Sequence, residues 1–177
     1  MHGRRICGLG PALYRHAHRH ALHRHGWVKR ARAVLLMAQG LFTLTPEAGR
    51  AALPRLRRHA ARDLHRDGFP RERLLGCAVR LLDRGFFRIG SEDYAVTNET
   101  YGLATMLKSH VSLLEDGALL FDYPAKHGKR RLQSVVDEDV YAIVKRLKAR
   151  RGGLPELLAY KQGGRWVDVR SPDINLY

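Results

Sequence analysis

The stretch "VSLLEDGALLFDYPAKHGKRRLQSVV" (111–136) constrains the fold most, because its apolar spacing is that of strands while its flanks are helical. Asp116-Gly117 is a two-residue hairpin signal between apolar runs, and "PAKHG" (124–128) turns the chain again through Pro124 and Gly128. Two turns so close together specify three antiparallel strands. The second turn holds Lys126, and Lys129, Arg130 and Arg131 follow it at once. A solvated turn needs one or two charges for solubility. Four of one sign point to a partner that is itself strongly negative.

Upstream, "TPEAGRAALPRLRRHAARDLHRDG" (45–68) carries Thr45 as N-cap, Pro46 at N1 and Glu47 in the first turn, with Pro54 expected to restart the helix. Leu53, Leu56, Ala60 and Leu64 share one face. Arg55, Arg58, Arg62 and Arg66 share the opposite face, a stripe of cations about 16 Å long. A solvated face is the plain reading of such a stripe alone; beside the hairpin cations it also reads as a track for phosphates. "PRERLLGCAVRLLDRG" (70–85) is a core helix with Pro70 at N1, Gly85 at C′, and Leu74, Leu75, Ala78, Val79 and Leu82 as its apolar face.

Beyond the strands, "DEDVYAIVKRLKARRGG" (137–153) is the cleanest helix. Asp137 caps it, Val140, Ile143, Val144 and Leu147 bury, and Lys145, Arg146, Lys148, Arg150 and Arg151 complement its C-terminal dipole before Gly152 stops it. "LPELLAY" (154–160) reads as a short helix and "KQGGRW" (161–166) as a turn. Ser171, Pro172 and Asp173 then spell a helix start with only a few residues left. Isolated helices shorter than about 12–15 residues are marginal, so the sequence is expected to be C-terminally incomplete. The pattern gives an α+β fold, mainly helical with one small three-stranded antiparallel sheet.

Charge narrows the function. Lys and Arg number 32 against 17 Asp and Glu, a net +15. Such an excess favours a phosphate-rich partner, since each neutralised phosphate releases condensed counterions. An anionic membrane fits less well: the helices carry aliphatic rather than aromatic faces, and "AVLLMAQGLFTL" (33–44) is too short to span a bilayer. Cys7 and Cys77 form neither a disulfide framework nor a metal pair by spacing, which fits a reducing cytoplasm. Residues 1–26 hold His2, His16, His18, His20, His23 and His25. A shared metal ion is the sharper reading of that cluster; a low-complexity, flexible leader is the one favoured. The expected organisation is this leader, a helical segment of separate character over 27–50, and a domain over 51–177.

Three blocks, "VRLLDRGFFRIGSEDYAVTNETYGLATMLKSHV" (79–111), "FDYPAKHGKRR" (121–131) and "WVDVRSPDINLY" (166–177), resemble the bacterial, poxvirus-like branch of type IB DNA topoisomerases. Their order and spacing agree with that family from about Leu53 onward. The resemblance implies the catalytic fold shared with tyrosine recombinases and relaxation of supercoiled duplex DNA through a transient 3′-phosphotyrosyl link. It implies neither metal nor ATP, so no cofactor. It makes Arg88 of "FFRIG" a transition-state arginine and Lys126 of "PAKHGK" the acid that protonates the departing 5′-oxygen. A guanidinium fork suits the charge that builds on a pentacoordinate phosphate, and such preorganised donors are worth about 3–4 kcal/mol each. Cationic neighbours lower a lysine's pKa toward a useful acid.

Tyr94, Lys108 and His110 match polar positions near the DNA, and Lys129, Arg130 and Arg131 would hold the hairpin against phosphates. Ser91 stands where the family usually has Asn, and Ala125 where it commonly has Gly. The family's second arginine, histidine and nucleophilic tyrosine lie downstream of "DVRSPDIN"; Tyr177 matches an ordinary helix residue. The expectation is therefore a type IB topoisomerase lacking its nucleophile, probed against a non-catalytic duplex-binding module or gene remnant. An RNA-binding basic protein is the third class, disfavoured because no aromatic stacking motif accompanies the charge. Duplex DNA is the expected partner, with no membrane and no small-molecule substrate, for a monomer in the cytoplasm at the nucleoid.

Overall fold

The computed structural model describes residues 46–92, 95, 97, 99–125 and 128–177. The leader, the segment up to Thr45, Tyr94 and Lys126 lie outside those residues. In chain order the elements are α1 (Pro46–Leu64), α2 (Arg71–Gly85), β1 (Val111–Leu113), β2 (Ala118–Ala125), β3 (Lys129–Val136), α3 (Glu138–Ala149), β4 (Ala159–Gln162), β5 (Arg165–Asp168) and α4 (Ser171–Asn175). The expected α+β architecture is present, with the three-stranded sheet in the order β1-β2-β3, antiparallel throughout.

The apolar face of α2 is the centre of the core. Leu74, Leu75, Cys77, Ala78, Leu81 and Leu82 are buried there, joined by Phe87, Phe121, Ile143, Leu147 and Leu157 from the surrounding elements. Charged clasps surround that core. Arg57 of α1 grips Asp83 of α2 through two hydrogen bonds of 3.0 and 2.7 Å. Asp137 caps α3 by accepting from the Val140 N–H, as expected, and the same carboxylate receives Arg80 at 2.8 Å and Arg84 at 2.9 Å from α2. A cap read as local thus ties two helices together.

Several local expectations change. α1 runs unbroken through Pro54 rather than restarting there. Arg50 and Pro54 are both exposed, so water can serve the carbonyl that proline leaves without an N–H. Pro70 is the N-cap of α2, in extended conformation, not its first helical residue. Gly85 stays helical, and Phe86 takes the left-handed conformation at φ 51°. The glycine is required for packing instead: a Cβ on Gly85 would lie 2.1 Å from the Phe87 ring. The turn at Asp116-Gly117 spans three residues rather than two, since Leu113 pairs with Leu119 and Leu114 N–H donates to the Ala118 carbonyl. Gly117 supplies the positive φ of 78° such a loop needs, and the Asp116 carboxylate accepts from Ala118 N–H.

The largest difference is at 154–168. The expected helix over "LPELLAY" is an extended segment, because Leu157, Leu158 and Ala159 are buried in succession and their backbone finds partners on other segments. Leu157 N–H donates to Met106 O at 2.6 Å, and Val169 N–H to Leu158 O at 2.9 Å. β4 and β5 then form a second, two-stranded sheet whose Gly163-Gly164 turn has both φ positive. α4 starts one residue earlier than the Ser171-Pro172-Asp173 signal predicts: Ser171 is its first helical residue and Arg170, not Ser171, is the cap. No helix among the described residues is long and apolar enough to cross a membrane.

Candidate nucleic-acid interface

Arg88 is aimed by its neighbour. Phe87 is buried against Phe121, ring centroids 4.6 Å apart, which turns the next side chain outward; Arg88 is exposed. Its backbone is fixed by a strap of main-chain bonds: Leu103 N–H donates to Arg88 O, and Ala104 N–H to Ile89 O, both at 2.8 Å. The strap is close-packed, because a Cβ on Gly90 or Gly102 would meet the other's backbone at 2.7 and 2.5 Å. Tyr101 N–H then donates to Pro124 O at 2.9 Å, fastening the same strap to the end of β2. Glu92, just beyond, accepts from the Ser171 N–H and hydroxyl, each at 2.8 Å, so α4 buttresses the segment from behind.

The four hairpin cations are not equivalent. Lys126 lies outside the described residues, in the three-residue connection closed by the Ala125–Lys129 pair. Arg130 reaches diagonally across the ladder to Asp122, with bonds of 2.7 and 2.5 Å, and holds that carboxyl below its usual range. Arg131 folds back to donate to Phe86 O at 2.9 Å and to the Gln133 side chain, clamping the left-handed residue before Arg88. Lys129 is exposed and enters no ion pair among the described residues.

His110 belongs to the fold as much as to any surface. Its ring sits edge-on to Tyr101 at 4.5 Å, and its Nδ1 accepts from Leu107 N–H at 3.3 Å, which leaves the proton on Nε2. Burial pushes its pKa down, with the Asp122 charge pulling the other way, so the ring is neutral at pH 7. Lys108 is half-buried, and its carbonyl accepts from Lys148 Nζ, which also donates to Val111 O. Burial, and then the Lys108 charge, lower the Lys148 pKa.

All four arginines of the α1 stripe are exposed. Arg66 pairs with Asp63 at 2.9 Å and Arg62 donates to His59 at 2.9 Å, whereas Arg55 and Arg58 make no hydrogen bond or ion pair among the described residues. Asp63 is a hub that sequence reading missed. It is fully buried, and Tyr177 donates its hydroxyl to it at 2.6 Å. Burial works to raise the Asp63 pKa, and the bonds from Tyr177 and Arg66 outweigh it and hold the carboxyl low. Burial and the Asp63 carboxylate push the Tyr177 phenol up. Nothing in the local spacing of Asp63 marks it. Its partner is 114 positions away.

The structure thus brings Arg88, the 101–104 strap and the root of the β2–β3 hairpin into one stitched unit, with the α1 stripe on a separate element. The family model of the eukaryotic DNA topoisomerase I catalytic core matches residues 50–162, more than half of the chain. The chain belongs to that family. The match takes in α1 from Arg50, the Arg88 strap, both hairpin strands and β4. A similar curated protein is the DNA topoisomerase 1B of Acanthamoeba polyphaga mimivirus, 26% identical over 90 residues. Those residues cover 51% of this chain and 26% of the viral protein, so the chain spans about a quarter of that relative's length. Both matches agree with the type IB topoisomerase resemblance read from the sequence blocks.

Proposed function

We propose that this chain supplies the Arg88 and Lys126 half of a type IB topoisomerase site and grips duplex DNA with it. Arg88 donates to the non-bridging oxygens of the scissile phosphate, where a preorganised guanidinium stabilises the added charge. Lys126 protonates the departing 5′-oxygen. Arg55, Arg58 and Lys129 meet flanking phosphates. The observation that carries this reading is the strap: two main-chain bonds link Arg88 to Leu103 and Tyr101 to Pro124, two residues before Lys126, so the arginine and the hairpin root move as one body. Family membership supports the chemistry, and the net charge of +15 supports the partner.

A second reading, duplex binding without cleavage, draws on Tyr177. A phenol that is hydrogen-bonded to a buried carboxylate and pushed up in pKa is a poor nucleophile. The test is one experiment with two readouts on the 177-residue chain: binding to a labelled duplex across a salt series, and covalent capture on a nicked duplex. We expect salt-steep binding, weakened by Arg88→Ala, and no adduct. Absence of duplex binding overturns the function; an adduct that survives denaturation and is lost in Tyr177→Phe overturns the assignment of Tyr177.

A further inference from the structure

A second cationic surface lies at the opposite end of α2 from Arg88. Arg73 stands in the first turn of that helix and Arg88 three residues beyond its last, about 20 Å away along the axis. There Phe69 and Trp166 meet edge-to-face with centroids 5.3 Å apart, and the β4–β5 hairpin is pinned to them by Lys161 N–H donating to Phe69 O at 2.7 Å. Four cations sit over the two rings. Arg146 is 4.5 Å and Arg73 5.9 Å from the Phe69 centroid; Lys161 is 5.3 Å and Arg150 5.6 Å from that of Trp166.

The cluster divides by what it faces. Arg150 is buried and spends its donors on the carbonyls of Leu147, Leu154, Glu156 and Leu157, with the Glu156 and Asp168 charges nearby. Arg146 and Lys161 are exposed and enter no ion pair among the described residues. Arg73 is half-buried and gives one guanidinium N–H to the Gly68 carbonyl at 2.8 Å, leaving its other terminal nitrogen toward the surface cluster. A cation held against an aromatic face has already lost much of its side-chain freedom, while its outer N–H groups still point to water. That is the economical way to build a phosphate clamp, because less ordering remains to oppose binding.

We propose that Arg73, Arg146 and Lys161, splinted by Phe69 and Trp166, form a second surface for the phosphate backbone of duplex DNA, separate from the Arg88 unit. The exposed groups of the cluster are cations, so recognition is of backbone rather than sequence.

The test measures anisotropy of a labelled 20-base-pair duplex against sodium chloride for three proteins: unaltered, Arg146→Gln/Lys161→Gln, and Arg55→Gln/Arg58→Gln. All four positions are exposed, and thermal melts confirm that each variant folds. Each phosphate contact contributes about 0.9 to the log–log salt slope, so the Arg146/Lys161 pair should flatten it by about 1.8. The chain has two tryptophans, so Trp27→Phe leaves Trp166 as a local reporter. Duplex should change its emission, and the change should vanish when Arg146 and Lys161 are also replaced. An unaltered slope and a silent Trp166 overturn the second surface; loss in the α1 pair alone would then leave the proposed function standing. Loss in the Arg146/Lys161 pair alone upholds the second surface and removes Arg55 and Arg58 from the flanking phosphate contacts. Tighter binding of a single strand, or displacement by polyglutamate at equal charge, also overturns the proposal, because stacking or an acidic protein would then be the better partner. No binding by the unaltered chain overturns both.

Discussion

The β2–β3 hairpin and helix α1 carry similar runs of arginine and lysine, yet they use them differently. On the hairpin, Arg130 has Asp122 diagonally across the ladder, and Arg131 has the Phe86 carbonyl and Gln133. On α1, Arg55 and Arg58 stay exposed and unpaired among the described residues, while Arg66 returns to Asp63. A ladder places opposite-strand side chains at fixed short separations, which gives Arg130 its partner, while Arg131 finds Gln133 two residues along its own strand and the Phe86 carbonyl folded against it. A helix face points its outermost residues into solvent. A run of cations therefore does not by itself identify phosphate contacts. On the hairpin, Lys129 is the described member still available for one.

The sharpest way to break this distinction is to remove a cation the fold consumes. Arg150 is 8% exposed and serves four carbonyls, that of Leu147 at the end of α3 and those of Leu154, Glu156 and Leu157 in the extended segment beyond it. Arg150→Met should cost about 3 kcal/mol by urea unfolding, since buried carbonyls lose charged donors. A cost below about 1 kcal/mol would place Arg150 with the solvated cations.

Arg131→Met comes next. Phe86 O loses its donor at a residue already held at positive φ, so about 1.5–2 kcal/mol should go, and Arg88 function should weaken with it. If duplex affinity falls while the urea midpoint stays fixed, Arg131 is a phosphate contact instead of a clamp.

Tyr177→Phe tests the α1 side of the comparison through pH. The folded-state pKa of Tyr177 is raised, so its contribution is fully present below the unfolded value near 10 and is lost as pH rises above it. Asp63 is depressed, so its contribution holds above about pH 4 and is lost as pH falls through the folded pKa. The phenylalanine variant should lose about 1 kcal/mol at neutral pH and show a flatter alkaline limb in melts from pH 7 to 11. An unchanged alkaline limb would mean that the Asp63–Tyr177 bond is not formed in solution.

The smallest effect is Arg130→Ala, an exposed cross-strand pair. Only a small loss is expected at pH 7, where Asp122 is ionised, and it should vanish as pH falls and Asp122 takes up its proton, leaving a flatter acid limb in the variant. A clear loss at pH 7 would show that the ladder pair holds the hairpin's shape.

Legibility follows the range of the interaction. Asp137 as a cap, the buried stripe of α3 and the three antiparallel strands were readable because each depends on residues within a few positions of one another. The family blocks were readable for the same reason, and the family match covers two of them. The helix expected over 154–160 was not there, because its backbone partners lie some fifty residues upstream at Met106 and beyond the β5 strand at Val169. Gly85 carried a stop signal by type, but the Phe87 ring decides its role.

Sequence alone therefore determined the α+β class, the hairpin that bears Lys126, the outward cation stripe of α1 and the family to which these belong, since periodicity, turn chemistry and motif spacing are properties of short segments. The tertiary structure decided which cations are consumed: Arg131 by Phe86, Arg66 by Asp63, Arg150 by Leu147 and the 154–157 segment. It also decided that Tyr177 answers to Asp63 and that Arg146 and Lys161 share a pair of aromatic rings. A charge's availability depends on which atoms the fold brings within about 3–6 Å of it, and those atoms are mostly distant in the chain.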